Sequence, residues 1–593
     1  MVSEQGLSVA SSVNETFDPS YQKLTFHTLN IVRNGIKINK MNADKIELIR
    51  REEEMDRAVY DKSLSAVYNI PDVRVGDVVE YSFTIKGSNP VFNAHAFGNF
   101  YFQYGVPVKK FAHRLIVNSR RPLQFKAYGD TGELTESEAG TLKNYEWVRE
   151  AVPALLKDDM LPSWFNPFPH VQYTDFRSWQ EVKSWALRVF DLKESDDHTL
   201  KGVIERIQHK GKPEEKIKEC IRIAQAEIRY LSFSDGIHGY RPHPPDAVYS
   251  QKYGDCKDKS FLLSYLLNRI GIESSPALVS TEDGQILNDI LPNPWAFNHC
   301  VVQFDFNDST YWIDPTLTSQ VGPLKDYLFP SYKNALVINT ARDGLDSIPF
   351  GNKRSMIKVQ EEYSMDKVGG YVSLEVKSEF YGDEADDMRN YFQTSTKQQI
   401  HKNYLNFYAR DYSEIEMKKD VEFQDNQAEN VITSTEEYLI KNFWTLDEDR
   451  RKTASTYARV LSSYLSKPDT KLRTMPLAVS YPLQVTQTIK IRLPEEWTVD
   501  DTRNDVESDG FVYHSSTFYN NKTITLRYFY KTKTSFIESA RAIDHINKID
   551  EVLNDLTYTI YQEPADRGNP KNKYIIIALM IAIGIYVARR SLR

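Results

Sequence analysis

The sequence predicts a multidomain α+β protein with a β-sandwich-like N-terminal domain, an α+β core, a β-rich C-terminal domain and one C-terminal transmembrane helix. Three observations carry this reading. Alternating, aromatic-rich segments of strand type occupy both flanks of the chain. Helical apolar spacing followed by two short strands marks the middle. An uncharged apolar run stands near the C-terminus. At 593 residues the chain also exceeds one ordinary core, because domains cluster at about 100–200 residues.

The N-terminal β domain, of uncharacterised function, is read over residues 1–150. Leu24-Thr-Phe-His-Thr-Leu-Asn-Ile-Val32 and Asp77-Val-Val-Glu-Tyr-Ser-Phe-Thr-Ile85 have strand composition, and Asn34-Gly35 and Asn89-Pro90 supply turns. Prolines recur from Pro153 to Pro169 around Trp164, which predicts an extended connector over 151–176. The core is read over 177–350. There Pro213 to Arg229 predicts one helix, with Ile217, Cys220, Ile221 and Ala224 on one face. Asp258 to Ile270 predicts another, with Leu262, Leu263, Leu266 and Leu267 at helical spacing and Gly271 as its C-terminal stop. Strands follow at Asn298 to Phe306 and Thr310 to Asp314. The second β domain covers 355–545, interrupted by a helix near Glu384 to Tyr408.

The run Tyr574 to Ala588 is uncharged and flanked by Lys571, Lys573, Arg589 and Arg590, which predicts a membrane anchor over 574–588. Its fifteen residues reach only about 22 Å against roughly 30 Å of hydrocarbon, a shortfall that flanking basic side chains reduce by snorkelling. Three basic residues on each side leave the orientation unassigned by charge. Residues Met1 to Asp18 hold no basic segment followed by an apolar one, so no secretory signal is read there.

Composition narrows the function. Lys+Arg 74 against Asp+Glu 82 gives net charge -8 without a concentrated basic surface, which excludes nucleic acid as the expected partner. Three cysteines without a C-x-x-C pair suggest neither a disulfide framework nor a zinc site. No phosphate-binding loop, H-E-x-x-H or G-x-S-x-G motif occurs, and no cofactor is implied.

The chemistry concentrates in Tyr253-Gly-Asp-Cys-Lys-Asp-Lys-Ser260, where Cys256 stands at the mouth of a helix. Unpaired N–H groups and the helix dipole favour a thiolate there, with Lys257 or Lys259 able to add to the effect. His299 lies in Phe297-Asn-His299, and Asp314 ends the next strand in Asp314-Pro-Thr316. Asn307-Asp308 is a natural two-residue hairpin turn. If Phe306 and Ser309 flank it, His299 and Asp314 project from one side as diagonal neighbours, within reach of an imidazole–carboxylate hydrogen bond. Cys256, His299 and Asp314 can then act as nucleophile, base and orienting acid. The backbone N–H of Cys256 offers one oxyanion donor, and Trp179, Gln225 and Tyr230 are candidates for a second. Cys220 and Cys300 fall on apolar faces and read as core.

At these residues the chain resembles the transglutaminase-like superfamily, with its papain-like core in chain order Cys, His, Asp. More narrowly, it is similar to bacterial envelope proteins in which an uncharacterised β domain precedes such a core and another β domain follows it. Arg50-Arg-Glu-Glu53, Val75-Gly-Asp-Val-Val-Glu-Tyr81 and Gly87-Ser-Asn-Pro90 carry the resemblance in the first domain. Ile228-Arg-Tyr230 and Gly239-Tyr-Arg-Pro242 join the catalytic motifs in the core. Similar proteins usually begin with a signal peptide and a further strand, whereas Met1 here falls shortly before what reads as the middle of the first domain. The resemblance implies a membrane-anchored cysteine enzyme of the periplasm. It would form a thioester at Cys256 from an amide or peptide carbonyl, then pass it to water or an amine, with a protein or peptide as substrate. The alternative is a membrane-tethered binding or assembly module that keeps the fold with little turnover. Oligomeric state is not legible.

Overall fold

The structure is a computed structural model that describes residues 6–7, 10–50, 59–60, 63–191, 198–233, 236–317, 320–349 and 355–562. The chain divides into two compact units. One comprises Met1–Ala154, Phe168–Thr318 and Phe329–Phe350; the other comprises Leu155–Pro167, Ser319–Leu328 and Gly351–Arg593.

In the first unit the N-terminal residues form several small antiparallel sheets. Lys23–Arg33 pairs with Ile36–Asn39 across Asn34-Gly35, whose positive φ values of 50° and 78° suit a tight hairpin, and with Val78–Lys86 on its other edge. Leu142–Val152 lies between Leu134–Ala139 and Val108–Asn118, and His170–Thr174 lies between Gln124–Tyr128 and Phe97–Tyr101. Phe102, Phe111, Tyr145, Trp147 and Val171 fill the apolar space there.

The remainder of this unit carries helices α1 (Trp179–Val189), α2 (His198–Gln208), α3 (Pro213–Arg222), α4 (Pro245–Gln251) and α5 (Cys256–Arg269). A five-stranded sheet holds β1 (Ser274–Val279), β2 (His299–Phe306), β3 (Ser309–Ile313), β4 (Asn334–Val337) and β5 (Asp346–Ser347), in order β3-β2-β1-β4-β5. Its pairings are all antiparallel. Fully buried Leu262, Leu263, Leu266 and Leu267 make α5 the central helix. The single helix predicted over Pro213 to Arg229 gives way to a π turn at Ile223–Glu227. Carbonyls at Gln225 and Ile228 there accept from the buried Lys259 ammonium, which has no solvent to bond.

The second unit is built on a nine-stranded sheet in which Met356–Ser364 and Gln484–Arg492 form a parallel pair. Alternation along these strands puts Val485, Ile489 and Ile491 in one core, together with the polar Gln487, which donates to buried Glu361 at 2.9 Å. The helix predicted near Glu384 to Tyr408 is two, Asp383–Thr394 and Lys397–Tyr408, because the Thr396 side chain accepts the Gln399 N–H and starts a new helix.

The α+β fold class ending in a transmembrane helix is corrected. Among the described residues strand accounts for 39% and helix for 24%, so the molecule is β-rich and multidomain. Short polar segments such as Glu422–Asn426 become strands only by pairing, here with Val431–Ile440, and show little periodicity of their own. Among the described residues no helix is long and apolar enough to cross a membrane, and the segment 574–588 lies outside those residues. The single-pass membrane and periplasmic localisation is corrected with it.

Candidate active site

Asp255 and Asp258 set the start of α5. Each accepts the other's backbone N–H, at 3.1 and 3.3 Å, in a reciprocal capping box that leaves Cys256 as the first helical residue. Gly254 is required by close packing: a Cβ there would lie 2.7 Å from the Asp258 Cβ. Asp258 also accepts the His243 N–H at 2.7 Å, tying in the Gly239-Tyr-Arg-Pro242 segment just before it. Lys257 is ion-paired with Asp255, and both are buried. Lys259 is turned away into the core, where burial pushes its ammonium down to about 8.

Residues at i, i+4 and i+8 share one face of a helix, and here that face is polar. Ser260 donates to the Cys300 carbonyl at 2.9 Å and Ser264 to the Ser274 carbonyl at 3.1 Å. Those bonds stitch α5 to β2 and β1, so Cys256, one turn ahead of Ser260, is carried to His299, next to Cys300.

The hairpin has the register its turn predicts. Asn307 and Asp308 both have positive φ, Phe306 opposes Ser309, and the ladder ends at Val302 and Ile313. Asp314 follows directly, and its Oδ2 is 2.8 Å from His299 Nε2. That contact occupies Nε2 and leaves Nδ1 for the sulfur. Burial alone would depress the imidazole, but its hydrogen bonds to Asp314 and Cys256 outweigh burial and hold it up at about 10. Burial pushes the Asp314 carboxyl up; the bonds from His299 and Thr316 more than offset this, and it stays below the usual carboxylate range. The geometry therefore sets an imidazole between a buried carboxylate and a thiol, the order of groups that a thiol nucleophile, its base and an orienting acid require.

Asp314 is more fully held than its sequence suggests. Oδ1 accepts the Thr316 N–H at 2.9 Å and its O–H at 2.6 Å, while Oδ2 also accepts the Tyr332 hydroxyl at 2.8 Å. Tyr332 has no signal in sequence: it lies in a Pro-Ser-Tyr loop after a change of unit. Tyr332→Phe removes one donor from a buried carboxylate, and we expect a loss of about 1–3 kcal/mol in thermal or denaturant unfolding.

Of the three oxyanion candidates, Gln225 donates to the Asp314 backbone carbonyl at 3.1 Å and Trp179 packs edge-on against Phe297. Tyr230 pairs with Gly254 beside the thiol, and its hydroxyl is pushed up to about 12 by burial and then by Cys256. Cys220 and Cys300 are buried, and burial pushes the Cys220 thiol up to about 12.

The imidazole also predicts a pH signature. A histidine whose folded value lies above its ordinary 6.5 stabilises the fold fully below 6.5, and that contribution is lost as pH rises through about 10. Lys259 acts in the opposite sense over the overlapping range, because its folded value is lowered. The difference in thermal midpoint between wild type and His299→Gln should therefore shrink from pH 6.5 to 10, and a difference independent of pH would remove the His299–Asp314 ion pair.

Among solved structures, the crystal structure of a "putative protease" from Parabacteroides distasonis ATCC 8503 covers 95% of this chain and 94% of that one, at 14% identity and TM-score 0.62. The chain therefore has that protein's fold over nearly its whole length. Residues 1–155 match the family model DUF3857, described as a domain of unknown function with a solved structure. A "putative cysteine protease" from Cytophaga hutchinsonii covers 38% of this chain and 72% of that one, at 11% identity and TM-score 0.18, a likeness too slight to carry an argument. No curated protein matches the chain.

Proposed function

We propose that this protein is a transglutaminase-like cysteine enzyme acting on an amide or peptide carbonyl. The observation that carries the reading is the Asp314–His299–Cys256 series, in which a buried carboxylate holds one imidazole nitrogen at 2.8 Å and the thiol bonds the ring. The Cys256 thiolate attacks the carbonyl carbon and a C–S bond forms. Collapse breaks the C–N bond, and His299 gives its proton to the departing amine. Water or a second amine, deprotonated by His299, then attacks the thioester; the C–S bond breaks and the thiolate returns. The Cys256 N–H at the helix mouth would serve as one oxyanion donor, and Tyr230, whose hydroxyl feels Cys256, as a second.

Pulse alkylation of folded protein, followed by peptide mapping, tests the nucleophile. Cys256 should label alone, since it is the half-buried thiol while Cys220 and Cys300 are buried. Preferential labelling of Cys220 or Cys300 would sink the assignment. Trapping Cys256 with a peptide-like electrophile, and identifying proteins cleaved by or joined through the enzyme, then separates hydrolysis from transfer to an amine.

A further inference from the structure

A cavity of about 310 Å³ opens beside Cys256 and His299, walled by Trp185, Tyr240, Trp295 and Phe297. Its size lies at the low end of ligand pockets, which run about 300–1,000 Å³, so it holds one large side chain with its peptide link and not an extended ligand. The cationic side chains lining it are already engaged: Lys257 with Asp255 and His299 with Asp314. An anionic side chain entering here would lose water without gaining a free cationic partner.

The aromatic wall is held from behind by the N-terminal region. Phe92 packs edge-on against Tyr240 at 4.8 Å between centroids and against Trp295 at 6.4 Å, and Phe97 does the same to Trp295 at 5.0 Å. Trp295 donates to the Tyr240 hydroxyl, and the Trp185 indole N–H donates to the Val91 carbonyl at 2.9 Å. Val91 and Phe92 are presented by a short turn in which the Asn89 side chain accepts the Val91 N–H at 3.0 Å. This is the Gly87-Ser-Asn-Pro90 segment, which the proposed chemistry leaves without a role. Trp295 nevertheless remains 55% exposed, an uncovered indole at the rim of an apolar pocket next to a thiol.

Resting on the proposed thiol chemistry, we infer that this pocket selects an uncharged aromatic or large aliphatic side chain flanking the carbonyl that Cys256 attacks. Trp295 is the contact residue and Phe92, in the DUF3857 region, is the positioning residue that sets its wall. The N-terminal region thus takes part in choosing the substrate.

The test uses the full chain and three peptidyl acyloxymethyl ketones carrying Phe, Ala or Glu next to the reactive ketone; the thiolate displaces the carboxylate leaving group in each. Rates at Cys256 are taken relative to iodoacetamide on the same protein. In wild type the Phe ketone should outpace the Ala ketone by about 10-fold or more, with the Glu ketone slowest. Phe92→Ala should lower the Phe-to-Ala ratio by about 3–10-fold, and Phe92→Tyr, which restores the edge-on ring, should recover it. Because Phe92 is buried, Trp295→Ala at its half-exposed position carries the test if Phe92→Ala does not fold; it too should collapse the ratio. Equal rates for the three ketones on a Cys256 that reacts with iodoacetamide would overturn the pocket assignment alone, as would a Phe preference untouched by Trp295→Ala. A Cys256 inert to iodoacetamide and to every ketone would overturn the thiol chemistry, and the pocket's role with it.

Discussion

Cys256→Ala is expected to abolish covalent capture of a peptide-like electrophile and to lower amide turnover by about 10⁶-fold, the loss seen when the nucleophile is removed from a triad hydrolase. The fold should survive. The side chain is half-buried, and the helix start depends on the Asp255–Asp258 capping box, which the substitution leaves intact. Intact-protein mass spectrometry after exposure to the electrophile reads the first effect, and turnover beside thermal midpoints reads the second. A variant that folds, binds its partner and retains its cellular function would support a binding or assembly module in place of an enzyme.

Asp314→Asn should lower the rate of thioester formation by about 10²–10⁴-fold while leaving substrate binding nearly unchanged. The structure supplies the reason. The four groups at the Asp314 carboxylate all donate to it: the His299 and Thr316 N–H groups and the Tyr332 and Thr316 hydroxyls. An asparagine must keep its oxygen toward the Thr316 N–H, which cannot rotate, and therefore turns its NH₂ toward His299. The imidazole then accepts at Nε2 and carries its proton at Nδ1, facing the sulfur it should deprotonate. The hydroxyls of Thr316 and Tyr332 can rotate to suit, so the fold holds, although exchange of a buried ion pair for a neutral contact should cost about 1–3 kcal/mol. Acylation rates measured beside thermal midpoints decide the matter. An unchanged rate, or a rate lost together with the fold, would remove Asp314 from the mechanism.

Parts of this arrangement were legible in the amino-acid sequence. Asn307-Asp308 determines a two-residue turn, and the period of two on either side places His299 and Asp314 on one face. The leucine stripe and Gly271 mark α5 and put Cys256 at its mouth, and the structure starts the helix at Cys256 behind the Asp255 cap. The helix break at Thr396 and the π turn at Ile223–Glu227 were not legible. The first depends on a cap competing with helix continuation, and the second accompanies a buried ammonium whose acceptors lie 31 and 34 residues away. Edge strands such as Glu422–Asn426 left no trace either, because they exist through their partners.

Near neighbours in the chain set the turn, the alternation and the leucine stripe, and so the order and orientation of Cys256, His299 and Asp314. What surrounds them came from packing between distant segments. Tyr332 reaches Asp314 across a loop, Ser260 locks α5 to β2, and Phe92 stands behind Trp295 from far earlier in the chain. The physical reason is that a buried carboxylate takes whichever donors packing brings within about 3 Å, and an aromatic wall takes whichever rings fill the space behind it. Neither choice leaves a periodic trace in the residues that make it.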